Sequence, residues 1–144
     1  MLDNERIEFL KKDFIQGFPA LCGFQVRYAG KGKFQSSLEL RPEHKQQDGF
    51  VHAGLIATMA DHTAGYSAYT IVSEDFRILT IEFKINFLKP ARGKSLICRS
   101  KVINCGKTIV VAESEIFSAF ENKEKFVSKA TVTMIMVPLD SFNR

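Results

Sequence analysis

The N-terminal segment of the chain, residues 4–16, has the hydrophobic spacing of an α-helix. Its apolar face contains Ile7, Leu10 and Phe14. Asp3 or Asn4 provides a polar side chain that can cap the first helical turn. Gly17 and Pro19 follow, and because these residue types end helices, the helix is predicted to stop there.

Beyond residue 24, apolar and polar side chains alternate with a period of two, which is typical of β-strands. The segment Gly30-Lys31-Gly32 separates two such runs and predicts a hairpin turn. One face of the second run contains Phe34, Ser36, Leu38 and Leu40. Residues 42–51 are mostly polar and are predicted to form a loop.

A longer alternating run ends at Pro90 and predicts another strand. Its apolar face contains Leu79, Ile81, Phe83, Ile85 and Phe87. Strict alternation places Phe83 in the core and places Thr80 and Lys84 on the opposite face. Short turns then separate three more predicted strands, at residues 95–103, 108–120 and 125–137.

The stretch from Ala53 to Ser73 contains no Lys, Arg or Glu, and Asp61 is its only formal charge. A surface helix carries a charged stripe, so residues 53–72 are predicted to form a helix that is buried nearly all round. At about 100° per residue, the bulky side chains gather on one side and Asp61 lies on the other. We expect the bulky side to face the sheet and the other side to admit a second copy of the chain. Around Asp61 are five small residues, namely Gly54, Ala57, Ala64, Gly65 and Ala68.

The element order is helix, hairpin, buried helix and four strands, which predicts an α+β fold with one antiparallel sheet. The chain has 144 residues, 45% hydrophobic and 25% charged, which fits one globular domain. Its apolar runs are too short to span a membrane and its first residues do not form a secretory leader, so we expect a cytoplasmic protein without a membrane partner. The net charge of +4 suits an anionic ligand. No nucleic-acid partner is expected, because the basic residues are dispersed and form no recognised motif.

The cysteines and histidines predict neither a disulfide framework nor a metal site. Cys22, Cys98 and Cys105 include no C-x-x-C pair and are predicted to be free thiols. His44, His52 and His62 lack metal-ligand spacing, so no metal and no other cofactor is expected. Two glycine-lysine turns resemble the end of a phosphate-binding loop, but each lacks the first glycine of that motif.

The segment Gly49 to Gly54 forms a glycine-containing loop that leads into the long helix. The first N–H groups of a helix have no partner within it, and together with the helix dipole they can stabilise an oxyanion. Asp61 lies about two turns further along, roughly 10–13 Å by axial rise, which is too far for one small group to span. A second copy with an antiparallel helix across a two-fold axis would bring the two features together. The pattern alone leaves Asp61 open between a structural hydrogen-bonding role and a functional one.

The segment Gly49-Phe50-Val51-His52-Ala53-Gly54, followed by Ala60-Asp61, resembles a motif of the PaaI-type hotdog-fold acyl-CoA thioesterases. A later run, residues 80–91, is similar to that family's third strand and its closing Pro-Ala. The resemblance implies that residues 1–144 are a single hotdog domain with its core at about 20–137, in which a curved antiparallel sheet wraps around the long helix. It also implies a homodimer with two sites at its interface, and it is compatible with a homotetramer.

The resemblance further implies roles for individual residues. Asp61 corresponds to the family's catalytic carboxylate, which acts as a nucleophile or as a general base on water. The backbone N–H of Ala53 from the other subunit would polarise the thioester carbonyl, while His52 would shape the loop and Gly54 would lie next to the substrate. Thr80 corresponds to a position where some members have a serine that orients the water.

Two positions depart from the family's pattern. Gln46 stands where the family usually has Asn, so the amide is kept but its reach changes. Ala53 replaces the first of two paired glycines, and its backbone N–H survives that change. For the phosphates of coenzyme A, the candidates are four basic residues in predicted turns and strand ends, namely Lys89, Arg92, Lys94 and Lys107.

The activity that the resemblance implies is hydrolysis of an acyl-CoA thioester to a free acid and CoA. One alternative keeps the fold without hydrolysis and makes the protein an acyl-CoA binding or sensing module. Another alternative, hydration or dehydration of enoyl thioesters, commonly needs a histidine on the helix. It is disfavoured, because His62 points about 100° away from Asp61.

Overall fold

The computed structural model describes residues 2–143 and shows three α-helices, two short 3-10 helices and six β-strands. The α-helices are α1 (Asn4–Phe14), α2 (Phe18–Cys22) and α3 (Ala53–Tyr69). The strands are β1 (Gln25–Gly30), β2 (Lys33–Glu39), β3 (Phe76–Phe87), β4 (Ser95–Cys105), β5 (Ile109–Phe120) and β6 (Lys123–Pro138). The 3-10 helices span Pro42–His44 and Leu139–Phe142.

All six strands form one antiparallel sheet in the order β1-β2-β4-β5-β6-β3. Helix α3 packs across one face of this sheet and contacts β2 to β6, so the core lies between the helix and the sheet. The predicted α+β fold with one antiparallel sheet is therefore confirmed. The hairpin turn predicted between β1 and β2 is also confirmed, and β1 and β3 form the two edges of the sheet.

Helix α1 confirms the predicted N-terminal helix, although it ends at Phe14. Asp3 is its N-cap, and the Asp3 Oδ1 accepts a hydrogen bond from the Arg6 N–H at 2.8 Å. The sequence did not indicate α2. This short helix follows Gly17, whose φ of 58° permits a sharp turn, and Pro19 in its first turn has a φ that already suits a helix.

Helix α3 confirms most of the predicted long helix, but it is not buried nearly all round. Its first turn is exposed, and its buried residues are Ile56, Met59, Ala60, Thr63, Ala64, Tyr66, Ser67 and Ala68. The prediction that Ala64 and Ala68 face outward beside Asp61 is therefore wrong. Small side chains let α3 approach its own sheet, and the Ser114 hydroxyl on β5 donates to the Ala60 carbonyl at 2.7 Å. The partly exposed stripe is narrower than predicted and contains Gly54, Ala57, Asp61 and Gly65.

Strand β3 departs from the strict alternation predicted for it. Its pairing with β6 shifts by one residue at Ile81, which forms a β-bulge. As a result, Thr80 and Phe83 both point to the helix side of the sheet. Their partners on β6, Met134 and Val132, are fully buried there. The prediction that Thr80 faces away from Phe83 is therefore wrong.

Phe83 is 37% exposed, although the sequence predicted it in the core. The cause is the position of β3 at the sheet edge, because within residues 2–143 no strand covers its outer side. Lys84 is exposed, as predicted. Exposed apolar residues along an edge strand are typical of a surface that another chain covers. In β3 and the turn after it, these residues also include Leu79, Ile81, Phe87 and Leu88.

Candidate active site

The loop before α3 is held in shape by its own hydrogen bonds. Lys45 and Val51 form an isolated bridge, and the Gln46 N–H donates to the Phe50 carbonyl at 2.8 Å. Gly49 has a φ of 85°, a left-handed conformation that glycine adopts without strain. The side-chain oxygen of Gln46 accepts from the Phe50 N–H at 3.2 Å, so it is used within the loop. That leaves the side-chain NH2 group as the part that a ligand can contact, and the role of Gln46 in holding the thioester or the water stays a prediction.

His52 is the N-cap of α3. Its ring Nδ1 accepts a hydrogen bond from the Gly54 backbone N–H at 2.8 Å, and the backbone N–H of His52 donates to the His44 carbonyl at 2.9 Å. Gly54 is a predicted substrate-contacting residue, but its backbone N–H already donates to the His52 side chain. Within residues 2–143 the Ala53 N–H has no acceptor, so this amide can donate to a ligand.

Asp61 lies in the middle of α3, on the partly exposed stripe. The Thr80 hydroxyl on β3 donates to the Asp61 Oδ1 at 2.6 Å. This contact depends on the bulge at Ile81, which turns Thr80 to the helix side of the sheet. Among the residues that the structure describes, Thr80 makes the only side-chain hydrogen bond to this carboxylate. The second carboxylate oxygen is thus open to a water molecule or a substrate.

Ala53 and Asp61 do not meet within one chain. They lie eight positions apart on the same helix, which separates them by about 12 Å along its axis. A single carbonyl group therefore cannot contact the Ala53 N–H and the Asp61 carboxylate of the same copy.

His62 follows Asp61 in sequence but belongs to a different surface. Its Nε2 donates to the Phe14 carbonyl at 2.9 Å, and its ring lies 4.3 Å from the Phe14 ring, centroid to centroid. Burial lowers the pKa of His62, although the Phe14 carbonyl, Asp61 and Asp13 act in the opposite direction. His62 is therefore committed to the packing of α1 against α3.

The four predicted phosphate-binding residues do not lie together. Lys89, Arg92 and Lys94 follow β3 at one end of the sheet, whereas Lys107 lies in the turn between β4 and β5 at the other end. The eleven residues of β4 separate these ends by roughly 35 Å. Arg92 contacts the loop before α3, because its guanidinium carbon lies 4.1 Å from the centroid of the Phe50 ring.

Other candidate chemistry is limited. Among residues 2–143, no group of three or more His, Cys, Asp and Glu side chains could hold a metal ion. Cys22 and Cys98 are buried thiols and Cys105 is an exposed one, and burial raises the pKa of the two buried thiols. No helix in the described part of the chain is long and apolar enough to cross a membrane.

Three residues that contribute to this region, on β5 and α2, could not be identified from the sequence. Ser114 supports the helical turn that carries Asp61, because its hydroxyl binds the Ala60 carbonyl. This contact joins residues 54 positions apart, so no local pattern indicates it. Phe18 and Leu21 of α2 line a groove beside the first turn of α3. Their signal in the sequence was the pair of apolar residues flanking a proline that can begin a helix.

Comparison with known proteins identifies the family to which the chain is similar. The family model described as the thioesterase superfamily matches residues 48–123, which is just over half of the chain. The matched segment contains the end of the loop before α3, from Asp48 onwards, together with α3 and the Asp61–Thr80 pair.

Individual relatives have names that describe esterases, a CoA-thioester hydrolase and thioesterases. A putative esterase of Saccharolobus solfataricus is 33% identical, over 62% of this chain and 63% of that protein, so the match spans less than two thirds of its length. A 1,4-dihydroxy-2-naphthoyl-CoA hydrolase of Listeria monocytogenes is 25% identical, over 82% of this chain and 95% of that protein. The crystal structure of a thioesterase family protein from Silicibacter pomeroyi is 28% identical with a TM-score of 0.89, and the match covers 92% of this chain and 98% of that one.

The structural match confirms the hotdog fold that the resemblance implied, with the sheet packed on the long helix. The family match confirms the expected enzyme class, the thioester hydrolases. The chain belongs to the thioesterase superfamily.

Proposed function

We propose that the protein hydrolyses an acyl-CoA thioester to a free acid and CoA at a site shared by two copies of the chain. The observation that carries this proposal is the Asp61 carboxylate, which the Thr80 hydroxyl holds at 2.6 Å on the partly exposed stripe of α3. A carboxylate held in this way can activate water or attack an acyl carbon. The substrate named for the Listeria relative is a CoA thioester, which supports CoA as the leaving group.

The second copy provides the Ala53 N–H that polarises the thioester carbonyl, because the Ala53 N–H of the same chain lies too far from Asp61. Antiparallel α3 helices across a two-fold axis would bring the Ala53 N–H of one copy to the Asp61 of the other. The stripe has room for this approach, because a Cβ atom added at Gly65 would have no neighbouring atom within 4 Å. The exposed edge of β3 supports the same dimer, since two such edges can pair and cover their apolar side chains. This homodimer is also a unit from which a homotetramer can be built.

The reaction then needs only groups that the two copies provide. Asp61 accepts a proton from a water molecule while the water oxygen attacks the thioester carbonyl carbon. The Ala53 N–H of the other copy donates to the carbonyl oxygen, which becomes an oxyanion. The C–S bond breaks when the oxyanion collapses, and the CoA sulfur leaves with the proton from Asp61. If Asp61 attacks the carbon itself, the same donor is used, and water hydrolyses the resulting anhydride.

The basic residues that follow β3 are proposed to face the phosphates of CoA. Arg92 is the strongest candidate, because its contact with Phe50 places it beside the loop that leads to Ala53. Lys89 and Lys94 lie at the same end of the sheet. Lys107 does not join them within one chain, so we assign it no phosphate contact.

The first experiment measures CoA thiol release from a panel of acyl-CoA esters. Asp61→Asn removes the charge at nearly constant shape, so kcat should fall by about 10²–10⁴. Thr80→Val removes one hydrogen bond and should cost about tenfold. Asp140→Asn, in the exposed C-terminal 3-10 helix, is the matched control and should stay within about twofold of wild type. Full activity of folded Asp61→Asn would contradict the mechanism, and binding of acyl-CoA by the wild type without thiol release would favour the sensing module.

A complementation experiment tests whether the site is shared. Ala53→Pro removes the N–H, and proline is tolerated at the first position of a helix. The preceding residue, His52, already has the extended ψ of 133° that proline requires. Neither Ala53→Pro nor Asp61→Asn should be active alone, whereas a heterodimer of the two contains one intact site. Refolding an equal mixture should restore about a quarter of wild-type activity if pairing is random, and no recovery would mean that each site lies within one chain.

A further inference from the structure

A groove of about 460 Å³ runs beside the first turns of α3. Helix α2 forms one wall, the 3-10 helix Pro42–His44 forms part of the floor, and α3 forms the other wall. The groove reaches the catalytic region, because His52 and Gly54 on either side of Ala53 also line it. Its volume lies within the range of about 300–1,000 Å³ that is usual for small-molecule sites. Its apolar side chains are Phe18, Leu21, Cys22 and Leu55.

Two apolar side chains of α2, Phe18 and Leu21, are unusually exposed to solvent for their size. Phe18 is 59% exposed and Leu21 is 72% exposed, on a helix of only five residues. Neighbouring apolar side chains that remain in water at the mouth of a concave site are typical of a ligand-binding surface.

Most polar groups of the groove are already used within the protein, and the exception is the exposed Glu43 carboxylate, which lies 4.0 Å from the Arg41 guanidinium. The other groups make three hydrogen bonds, from the Arg41 Nη2 to the Leu21 carbonyl at 2.8 Å, from the His44 Nε2 to the Cys22 carbonyl at 2.7 Å, and from the Thr58 hydroxyl to the Gly54 carbonyl at 2.8 Å. A ligand that carries hydroxyl groups would therefore lose hydrogen bonds to water on entering and find few replacements. A plain hydrocarbon has no such cost.

We propose that this groove binds the alkyl chain of the substrate's acyl group, which makes the enzyme selective for medium- and long-chain acyl thioesters over short-chain and hydroxylated aromatic ones. The inference rests on the proposed function, because the thioester carbonyl at the Ala53 N–H is what delivers the chain to the groove. Phe18 and Leu21 then determine specificity without touching the reacting atoms. The CoA portion leaves along a different surface, where Arg92 contacts the loop through Phe50.

The test compares chain-length profiles of the wild type and a double variant, Phe18→Ala/Leu21→Ala. The matched control is Phe9→Ala, since Phe9 is a half-exposed phenylalanine on α1 that lines a separate surface with Arg6 and Glu74. The substrates are acetyl-, octanoyl-, dodecanoyl- and 4-hydroxybenzoyl-CoA. A second measurement, calorimetric titration of dodecanoate in the absence of CoA, reports on the groove without any turnover.

In the wild type, kcat/KM should rise with chain length by up to about fourfold for each methylene that becomes buried. The double variant should lose at least tenfold on dodecanoyl-CoA, remain within about twofold on acetyl-CoA, and bind dodecanoate at least tenfold more weakly. Phe9→Ala should match the wild type in both measurements. A flat profile, a preference for the hydroxybenzoyl ester, or equal dodecanoate binding by wild type and double variant would overturn the proposal. If no ester is hydrolysed, the proposed function fails, while the dodecanoate titration still decides whether the groove binds an alkyl chain.

Discussion

Replacing Ser114 with alanine is expected to destabilise the protein where its sheet supports helix α3 next to Asp61. The Ser114 hydroxyl donates to the Ala60 carbonyl at 2.7 Å and lies 2.6 Å from the Ser100 hydroxyl. Because the Ser114 proton is directed to Ala60, Ser100 is the donor in the second hydrogen bond. Both serines are almost fully buried, so water cannot replace the lost hydroxyl.

The expected loss follows from the groups left without a partner. Ser114→Ala removes the oxygen acceptor of the Ser100 hydroxyl and leaves it only the weak sulfur acceptor of Cys98 at 3.6 Å, and a buried donor without a good acceptor costs about 1–3 kcal/mol. The Ala60 carbonyl loses less, because it keeps its acceptor role within α3. We therefore expect the free energy of unfolding to fall by about 2 kcal/mol. At about 2.1 cal/mol/K per residue, this corresponds to a fall in Tm of roughly 6–7 °C for a chain of 144 residues.

Urea unfolding followed by circular dichroism measures this change, at one fixed protein concentration because the stability of the proposed dimer would depend on concentration. Ser37→Ala on β2 is the matched control, since Ser37 is only half-buried and should change stability by less than about 0.5 kcal/mol. The double variant Ser100→Ala/Ser114→Ala should lose less than the sum of the two single variants, because it leaves no orphaned donor. A Ser114→Ala protein as stable as wild type, or strictly additive losses, would refute this account of the buried hydroxyl pair.

Two further predictions concern the exposed edge of β3 and the packing of His62 against Phe14. Phe83→Ala should raise the dimer Kd by about thirtyfold in sedimentation experiments, because the exposed third of this side chain represents about 1 kcal/mol per protomer. Lys84→Ala should leave the Kd unchanged. Equal effects of the two variants would mean that β3 is not at the interface. Burial lowers the pKa of His62 in the folded state, so the unfolded chain takes up its proton first as the pH falls below about 6.5. The free energy of unfolding should therefore decline from pH 7 towards pH 5, by at most about 1.4 kcal/mol per pH unit, and His62→Gln should show a shallower decline. Parallel pH profiles for His62→Gln and wild type would contradict this assignment.

The elements that could be predicted from the sequence are those in which the hydrophobic pattern of a helix or a strand repeats several times. Helix α1, the hairpin, α3 and the four later strands each repeat a helical or alternating spacing long enough to distinguish the two. Helix α2 has five residues, which is little more than one turn, so no periodicity could identify it. The omission of α2 from the prediction affects the proposed alkyl groove, because Phe18 and Leu21 of this helix form its wall.

The candidate site could be proposed from the sequence where a single residue differed from its local pattern. Asp61 stands out as the only charge in a long apolar and small-residue stretch, and Ala53 stands out by its place at the start of that stretch. Which side of α3 is buried was less predictable. Ala64 and Ala68 suit close contact with a partner helix as well as with the chain's own sheet, and only the pairing of α3 with β5 decides between them.

The bulge in β3 explains why the relation between Thr80 and the core could not be deduced from the strand alone. A regular strand with Phe83 and Ile85 on the helix side would turn Thr80 away from Asp61. One extra residue at Ile81 changes the parity, so the strand presents the Thr80 hydroxyl to the carboxylate and still turns Phe83 towards the helix, while Leu79 before the bulge lies on the opposite face. The bulge is a property of the pairing between β3 and β6, and the alternation within β3 continues through it unchanged. A contact that depends on a shift in register therefore leaves no mark in the hydrophobic pattern, although it determines which residue reaches the Asp61 carboxylate.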